Sequence, residues 1–187
     1  MEEPTRCNWC LSSDLYKKYH DQEWGKPVYE DAILFEFLIL ETFQAGLSWI
    51  TILNKRENYR IAFDSFNYKK IALYSEEKIQ ELLIDAGIIR NKLKVYSAVS
   101  NAQSFIKIQE EFGSFSKYIW NFVDGKPIDN QPTTLKEIPA TTPLSDIISK
   151  DLKKRGFKFV GSTVVYAFLQ ATGMIYDHVA DCWTRNQ

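Results

Sequence analysis

The chain has 187 residues and a mass of 21.8 kDa, which is the size of one domain at about 100 to 200 residues per domain. Its 45% hydrophobic and 25% charged residues match globular composition and exclude a disordered chain. The net charge of −1 excludes a protein that is basic throughout. Residues 85–160 nevertheless hold more basic than acidic side chains, which is compatible with a local phosphate-binding face or with a solvated surface.

Apolar residues recur at helical spacing along almost the whole sequence, so we expect an all-α fold in a single domain over residues 1–187. Residues 127–139 contain three prolines and no helical period, which indicates a loop. The helices predicted from apolar spacing and from capping residues are 31–45, 48–63, 75–86, about 91–106, 114–123, 143–155 and 162–173.

Glu41 lies in the most apolar of these helices, where the pattern favours an apolar residue. Glu36 is five residues away, about 140° around the helix, so the two acids cannot share one exposed face. Buried ionisable groups are costly and concentrate at functional sites. Glu41 is therefore a candidate site residue, although a carboxylate near a helix end can also simply reach solvent.

Aromatic residues are concentrated near this carboxylate in the sequence. Three of the five tryptophans lie within the first 49 residues. Aromatic faces beside a carboxylate would suit a flat, cationic, nitrogen-rich ring, through stacking and cation–π attraction. Filling of the hydrophobic core explains the same residues. The aromatic candidates are Trp9, Tyr16, Tyr19, Trp24 and Trp49.

Residues 75–112 resemble a helix-hairpin-helix, in which two helices are joined by a short turn at Gly87. The backbone N–H groups of such a turn can bind a phosphate, and Arg90, Lys92 and Lys94 would add positive charge. Ile89 replaces the second glycine of the general motif, so an ordinary pair of helices remains an alternative. The basic and aromatic residues 153–159 would extend a phosphate-binding face, or would form a charged helix end before a core segment.

All cysteines and histidines lie near the two ends of the chain. His178 and Cys182 are four residues apart, which would place them on one helical face, and Cys7 with His20 would complete a tetrahedral zinc site. Four protein ligands leave no open position, so such a zinc would be structural. Ordinary buried thiols with surface histidines are the alternative, and a redox pair of Cys7 and Cys10 lacks the expected strand-to-helix context.

The N-terminal segment has no apolar core of a signal peptide, and no apolar run reaches the roughly 18 residues of a membrane span. Three cysteines are too few for a disulfide scaffold and agree with a reducing compartment. We therefore expect a cytoplasmic protein without a membrane partner.

These motifs, taken together and in order, resemble the DNA-3-methyladenine glycosylase I family of the helix-hairpin-helix superfamily. The resemblance covers nearly the whole chain and departs from the family at Cys10, Thr42 and Phe43. It rests on Cys7-x-Trp9, residues 19–25, Glu41 with residues 44–50, residues 55–60, 85–90 and 153–161, and Asp177-His178 with Cys182.

The resemblance implies one structural zinc, bound by Cys7, His20, His178 and Cys182, that joins residues 1–25 to residues 174–187. It also implies that Glu41 is the catalytic carboxylate of the base pocket. The superfamily's usual catalytic aspartate has no evident counterpart between residues 103 and 109. The base-binding residues implied are Trp49, Tyr19, Tyr16, Trp9 and Trp24, and the DNA-binding residues are Gly87, Ile88, Ile89, Arg90, Lys92, Gln44 and Leu47.

The activity implied is that of a monofunctional, monomeric glycosylase that flips 3-methyladenine out of double-stranded alkylated DNA and hydrolyses its N-glycosidic bond. Two other classes compete. A non-catalytic DNA-binding module would keep the hairpin and the zinc but release no base. A zinc hydrolase of small substrates is disfavoured because four good ligands would close the metal site.

Overall fold

A computed structural model describes residues 3–186 of the chain. Within that range the chain is mostly helical, as predicted, with one short parallel strand pair. The α-helices are α1 (Asp14–Gln22), α2 (Asp31–Gln44), α3 (Trp49–Leu53), α4 (Arg56–Ala62), α5 (Tyr68–Ile71), α6 (Glu76–Ile84), α7 (Lys92–Phe112), α8 (Phe115–Trp120), α9 (Pro143–Lys154) and α10 (Ser162–Ala171). The strands are β1 (Ile128–Asp129) and β2 (Ile175–Tyr176), and short 3-10 turns lie at Asn8–Cys10, Asp64–Phe66, Asn121–Val123, Leu135–Glu137 and Trp183–Asn186.

Helix α2 forms the centre of the core. It is buried over most of its length because it packs against α10 on one side and α7 on another. Helix α10 packs in turn against α9, and α7 contacts α5, α6 and α8. These contacts explain why α2 and α10 are the most apolar helices of the sequence.

Local capping sets the ends of several helices. The side chains of Ser13, Ser75 and Asn91 accept hydrogen bonds from first-turn N–H groups of α1, α6 and α7. Thr142 and Ser145 form a reciprocal capping box at the start of α9. Gly113 ends α7 with φ of 84°, a conformation that glycine adopts without steric cost.

The structure corrects three features of the predicted fold. The single helix expected over residues 48–63 is two helices, because the chain turns at Asn54 and Lys55, where the Lys55 ammonium donates to loop carbonyls of the hairpin. Helices α1 and α5 were not predicted from the sequence. The predicted loop 127–139 contributes β1, whose pairing with β2 attaches this loop to the C-terminal segment.

No helix in the described part of the chain is both long and apolar enough to cross a bilayer.

Candidate active site and metal cluster

A cavity of about 350 Å³ lies among the N-terminal segment, α2, α3 and α10. Its lining is mainly aromatic and aliphatic, with few polar side chains. Every aromatic residue proposed from the sequence contributes to it, as do Glu41 and Gln44. The lining residues are Trp9, Tyr16, Tyr19, Trp24, Glu41, Gln44, Trp49, Leu135, Ile138, Ala167 and Gln170.

Glu41 presents a buried carboxylate to this cavity. Only 3% of the residue is exposed, and its Oε2 has no hydrogen-bond partner within the described residues. Burial raises the pKa of Glu41 to about 8, because no nearby cation offsets the loss of hydration. Glu36 behaves differently, since it forms ion pairs with Arg56 and Arg60. The cavity therefore holds an acid that lacks a counter-charge.

Trp49 places a second unpaired polar group in the cavity wall. Its indole Nε1 is buried and has no acceptor within residues 3–186. Tyr19 lies beside it, with ring centroids 5.3 Å apart. The wall thus offers aromatic faces together with a donor and a carboxyl group that both lack partners, an arrangement suited to a flat heterocycle with its own polar edge.

The far wall of the cavity was missed by the sequence analysis. Leu135 and Ile138 come from the proline-containing loop, and Ala167 and Gln170 come from α10. Leucine, isoleucine and alanine carry no local signal that separates a pocket wall from ordinary core. The pairing of β1 with β2 brings the loop into place, and that contact is tertiary.

Four buried side chains from the two ends of the chain converge on one point. The ligand atoms of Cys7, His20, His178 and Cys182 all lie within 4.8 Å of one another. The Cys182 Sγ is 3.4 Å from His20 Nε2 and 3.4 Å from His178 Nδ1, and the Cys7 Sγ is 3.7 Å from His178 Nδ1. Around a tetrahedral zinc, sulfur and nitrogen ligands would be about 3.6 Å apart. The donor set and its spacing therefore fit zinc.

The second ring nitrogen of each histidine also has a partner. His20 Nδ1 lies 2.8 Å from a carboxylate oxygen of Asp21, and His178 Nε2 lies 3.1 Å from the carbonyl oxygen of Trp24. Such outer contacts orient metal-binding imidazoles. Burial lowers the pKa of His20 and lowers that of His178 to about 4, so both rings are neutral, as ligands must be.

One expectation about this cluster needs correction. Residues 178–182 form a turn and not the expected helix, because the chain there folds back over the N-terminal segment, with Trp183 N–H donating to the Thr5 carbonyl. Cys10 is buried but stays outside the cluster, and its thiol donates to the carbonyl of Cys7 at 3.1 Å. Cys10 is therefore not one of the four candidate metal ligands.

The hairpin between α6 and α7 is present, but part of its backbone is already hydrogen-bonded. The N–H of Gly87 donates to Asp85 Oδ1 at 2.7 Å, and that of Ile89 donates to the Tyr59 hydroxyl at 3.1 Å. Ile88 is 3% exposed and its side chain belongs to the core. Any contact of Ile88 with DNA would therefore be made by its backbone, and Arg90 is the nearest exposed cation of this turn.

The basic residues near the hairpin divide into two groups. Arg90 and Lys92 are exposed and available to a phosphate. Lys94, which was expected to add charge to this face, is 5% exposed, and its ammonium donates to the Phe43 carbonyl at 2.8 Å and to the Ala45 carbonyl. It caps the C-terminal end of α2 instead, because the last carbonyls of a helix lack partners within the helix.

The remaining candidates lie at the ends of helices. Gln44 lines the cavity at the end of α2, and Leu47, three residues later, is exposed. Lys153, Lys154 and Lys158 are exposed, whereas Arg155 is held by Glu111 and Asp151. Phe43, one of the departures from the family pattern, is buried in the core against Tyr59, with ring centroids 4.8 Å apart.

Known proteins have similar sequences and folds. Residues 9–186 match the family model described as methyladenine glycosylase. The chain is 48% identical over 177 residues to DNA-3-methyladenine glycosylase 1 of Escherichia coli (strain K12), covering 95% of each. A crystal structure of 3-methyladenine DNA glycosylase I has a TM-score of 0.93 at 47% identity, covering 96% of this chain and 98% of that one. A tyrosine-to-phenylalanine variant of such an enzyme, in complex with 3-methyladenine, has a TM-score of 0.94 at 37% identity, covering 97% and 98%.

Proposed function

The chain belongs to the methyladenine glycosylase family, and from this premise we propose that it excises 3-methyladenine from double-stranded alkylated DNA by hydrolysing the N-glycosidic bond. The single observation that carries the assignment to this cavity is the pair of unpartnered polar groups, Glu41 Oε2 and Trp49 Nε1, in an aromatic wall. A purine has a flat face that can stack on this wall, and it has donors and acceptors that can pair with these two groups.

The electrostatics favour an alkylated base over an ordinary one. Methylation at N3 gives adenine in DNA a positive charge, whereas undamaged bases are neutral. A cationic ring against Glu41 would supply the missing counter-charge and lower the pKa of its carboxyl from about 8. Binding of the lesion is then coupled to loss of the Glu41 proton, and a neutral base gains no such interaction.

The lesion itself provides much of the activation. When the bond between C1′ and N9 breaks, the electron pair moves to the base, which leaves as neutral 3-methyladenine. Water adds to the developing oxocarbenium carbon and releases a proton to solution. The protein flips the base, stacks it on Trp49 and Tyr19, and holds its polar edge at Glu41. No lysine is among the described residues that line the cavity, so we propose a monofunctional enzyme without a covalent intermediate.

Contact with the DNA backbone is assigned to the hairpin and to the end of α2. Arg90 and Lys92 would bind phosphates, and the backbone around Gly87 and Ile89 would hold the turn in shape. Gln44 lines the cavity and Leu47, three residues later, is exposed, so we assign to both a contact with the duplex from which the base has been flipped. We propose that the protein acts on DNA as a monomer.

We further propose that the cluster of Cys7, His20, His178 and Cys182 binds one structural zinc. Burial raises the pKa of Cys7 to about 12, so a thiolate there needs a cation close by. With four protein ligands the metal ties the two termini together and takes no part in hydrolysis. Buried, unpaired thiols suit a reducing compartment, in agreement with a cytoplasmic location.

Incubation of purified protein with methylated double-stranded DNA tests this function, with the released bases identified by chromatography. Release of free 3-methyladenine without strand cleavage is the expected result. DNA binding without any released base would instead support a non-catalytic DNA-binding module. The Glu41→Gln variant is the control for a contaminating glycosylase, because it should lower release at equal protein concentration.

A further inference from the structure

Gln170 is a polar residue of the cavity wall that neither the sequence motifs nor the proposed mechanism uses. It lies in the last turn of α10 and is half-buried. Its backbone is fixed, since the carbonyl accepts a hydrogen bond from the N–H of Gly25 at 3.1 Å. The side chain therefore extends from a rigid position into a wall that otherwise offers mostly aromatic and apolar surface.

The carboxamide of Gln170 is oriented by a buried acid. Its Nε2 donates to Asp177 Oδ2 at 2.7 Å, and Asp177 is 1% exposed. The same carboxylate accepts hydrogen bonds from the Tyr166 hydroxyl at 2.6 Å and from Asn130 Nδ2 at 2.8 Å. A carboxylate oxygen surrounded by donors takes the amide N–H and repels the amide oxygen. The Nε2 of the carboxamide is thus already hydrogen-bonded to Asp177. Within residues 3–186, no group donates a hydrogen bond to Oε1.

We infer that Gln170 is a specificity-determining residue, and that Asp177 is the positioning residue that keeps its Oε1 available to accept a hydrogen bond from the 6-amino group of the flipped purine. This inference rests on the proposed function and concerns the choice between bases. A 6-oxo purine such as 3-methylguanine would place its carbonyl oxygen against Oε1. Two acceptors then face each other without a proton between them, which costs more than an ordinary lost contact.

Substitution of Gln170 by leucine tests the acceptor directly, because leucine keeps the approximate size and removes the carbonyl. The probes are free 3-methyladenine and free 3-methylguanine, titrated against the fluorescence of the cavity tryptophans. Single-turnover release of each base from methylated DNA is measured in parallel. We expect Gln170→Leu to reduce the preference for 3-methyladenine over 3-methylguanine about tenfold in both assays.

The positioning role is tested by a double-mutant cycle. Asp177→Ala frees the carboxamide to rotate, so the preference should fall as in Gln170→Leu, and the double variant should show no further loss. Asn130→Ala is the matched control, since it removes another hydrogen bond to Asp177 and leaves the bond to Gln170 intact. Its preference should equal that of wild type. Metal content and thermal midpoint are recorded for every variant, because Asp177 precedes His178.

The possible results separate this inference from the proposed function. Wild-type protein that binds 3-methyladenine preferentially but releases no base would overturn the function and leave the selectivity test valid. An unchanged preference in Gln170→Leu would overturn the inference while excision stands. If Asp177→Ala did not fold, Gln170→Leu alone would decide the role of the acceptor. A fall in preference in Asn130→Ala equal to that in Asp177→Ala would overturn the positioning role.

Discussion

The Trp24 ring lies edge-on to the His178 ring, with centroids 4.6 Å apart. Trp24 lines the cavity, and His178 belongs to the Cys/His cluster. Trp9 makes a similar bridge, since its ring contacts both Trp24 and His20. The aromatic wall of the cavity therefore packs directly against the cluster. A change in the positions of the cluster residues should thus also move the cavity wall.

Loss of metal should consequently reduce base binding as well as stability. We expect Cys182→Ser to release zinc, lower the thermal midpoint and weaken binding of 3-methyladenine, because the ring of His178 loses its fixed position. Metal analysis, thermal unfolding and fluorescence titration measure the three effects. Cys10→Ser is the matched control and should change none of them, since Cys10 lies outside the cluster. Freshly purified wild-type protein without metal would contradict the zinc assignment.

Glu41→Gln should lower single-turnover excision of 3-methyladenine by about 10- to 100-fold, the range expected for loss of a hydrogen bond to a charged group. Glutamine keeps the size of the side chain and removes the charge that faces a cationic base. Trp49→Ala should also impair excision, since stacking on an aromatic face contributes about 1 to 3 kcal/mol per base. Both variants are compared with wild type at equal zinc content. Excision by Glu41→Gln at the wild-type rate would show that the carboxylate is structural.

Glu41→Gln should also change how the free energy of unfolding depends on pH. The pKa of Glu41 is about 8 in the folded chain and near 4.5 when the chain is unfolded, so the folded state holds this proton more tightly. The stability contributed by this tighter proton binding is complete below pH 4.5 and is lost as the pH rises to about 8. Across this window wild type should lose roughly 1.4 kcal/mol of unfolding free energy per pH unit relative to Glu41→Gln. Urea unfolding of both proteins at pH 5.5, 7 and 8.5 measures the difference, and parallel pH profiles would contradict the buried acid.

The sequence predicted the carboxylate and the aromatic residues of the cavity, but not its aliphatic residues. Glu41 was detectable because a carboxylate interrupts an apolar helix, and the nearby tryptophans are rare, bulky residues. Leu135, Ile138 and Ala167 gave no such signal, because their place in the wall depends on how the loop and α10 pack. The four cluster residues were detectable because they are the chain's only histidines together with two of its three cysteines.

Charged residues were harder to place than apolar ones. Lys94 stands in a run of basic residues at the start of a helix, which is the usual pattern of a solvated or phosphate-binding face. Its burial follows from the position of α2, whose C-terminal carbonyls reach it across the core. Local sequence cannot show such a contact, because the partners are about 50 residues apart in the chain.

DNA binding should depend on salt through the exposed cations of the hairpin. The double variant Arg90→Ala and Lys92→Ala should weaken binding and reduce the slope of log K against log salt by about 0.9 for each lost phosphate contact. Lys107→Ala with Lys117→Ala is the matched control, because both residues are exposed and lie toward the other end of α7. Fluorescence anisotropy with an undamaged duplex at several salt concentrations gives the slopes. Equal slopes for the hairpin variant and wild type would remove this face from the DNA interface.

Unlike the hairpin double variant, Lys94→Met should lower the free energy of unfolding and leave the salt slope of DNA binding unchanged. Methionine fills similar volume but leaves the carbonyls of Phe43 and Ala45 without their donor, and an unpaired buried polar group costs about 1 to 3 kcal/mol. Urea unfolding measures the loss, and anisotropy measures the slope. Lys92→Met, two residues earlier and exposed, should show the reverse pattern of near-wild-type stability and a reduced slope. Because the capped end of α2 follows Glu41 by only a few residues, Lys94→Met should also weaken 3-methyladenine binding. A reduced salt slope with full stability would instead place Lys94 on the DNA face and contradict its role as a helix cap.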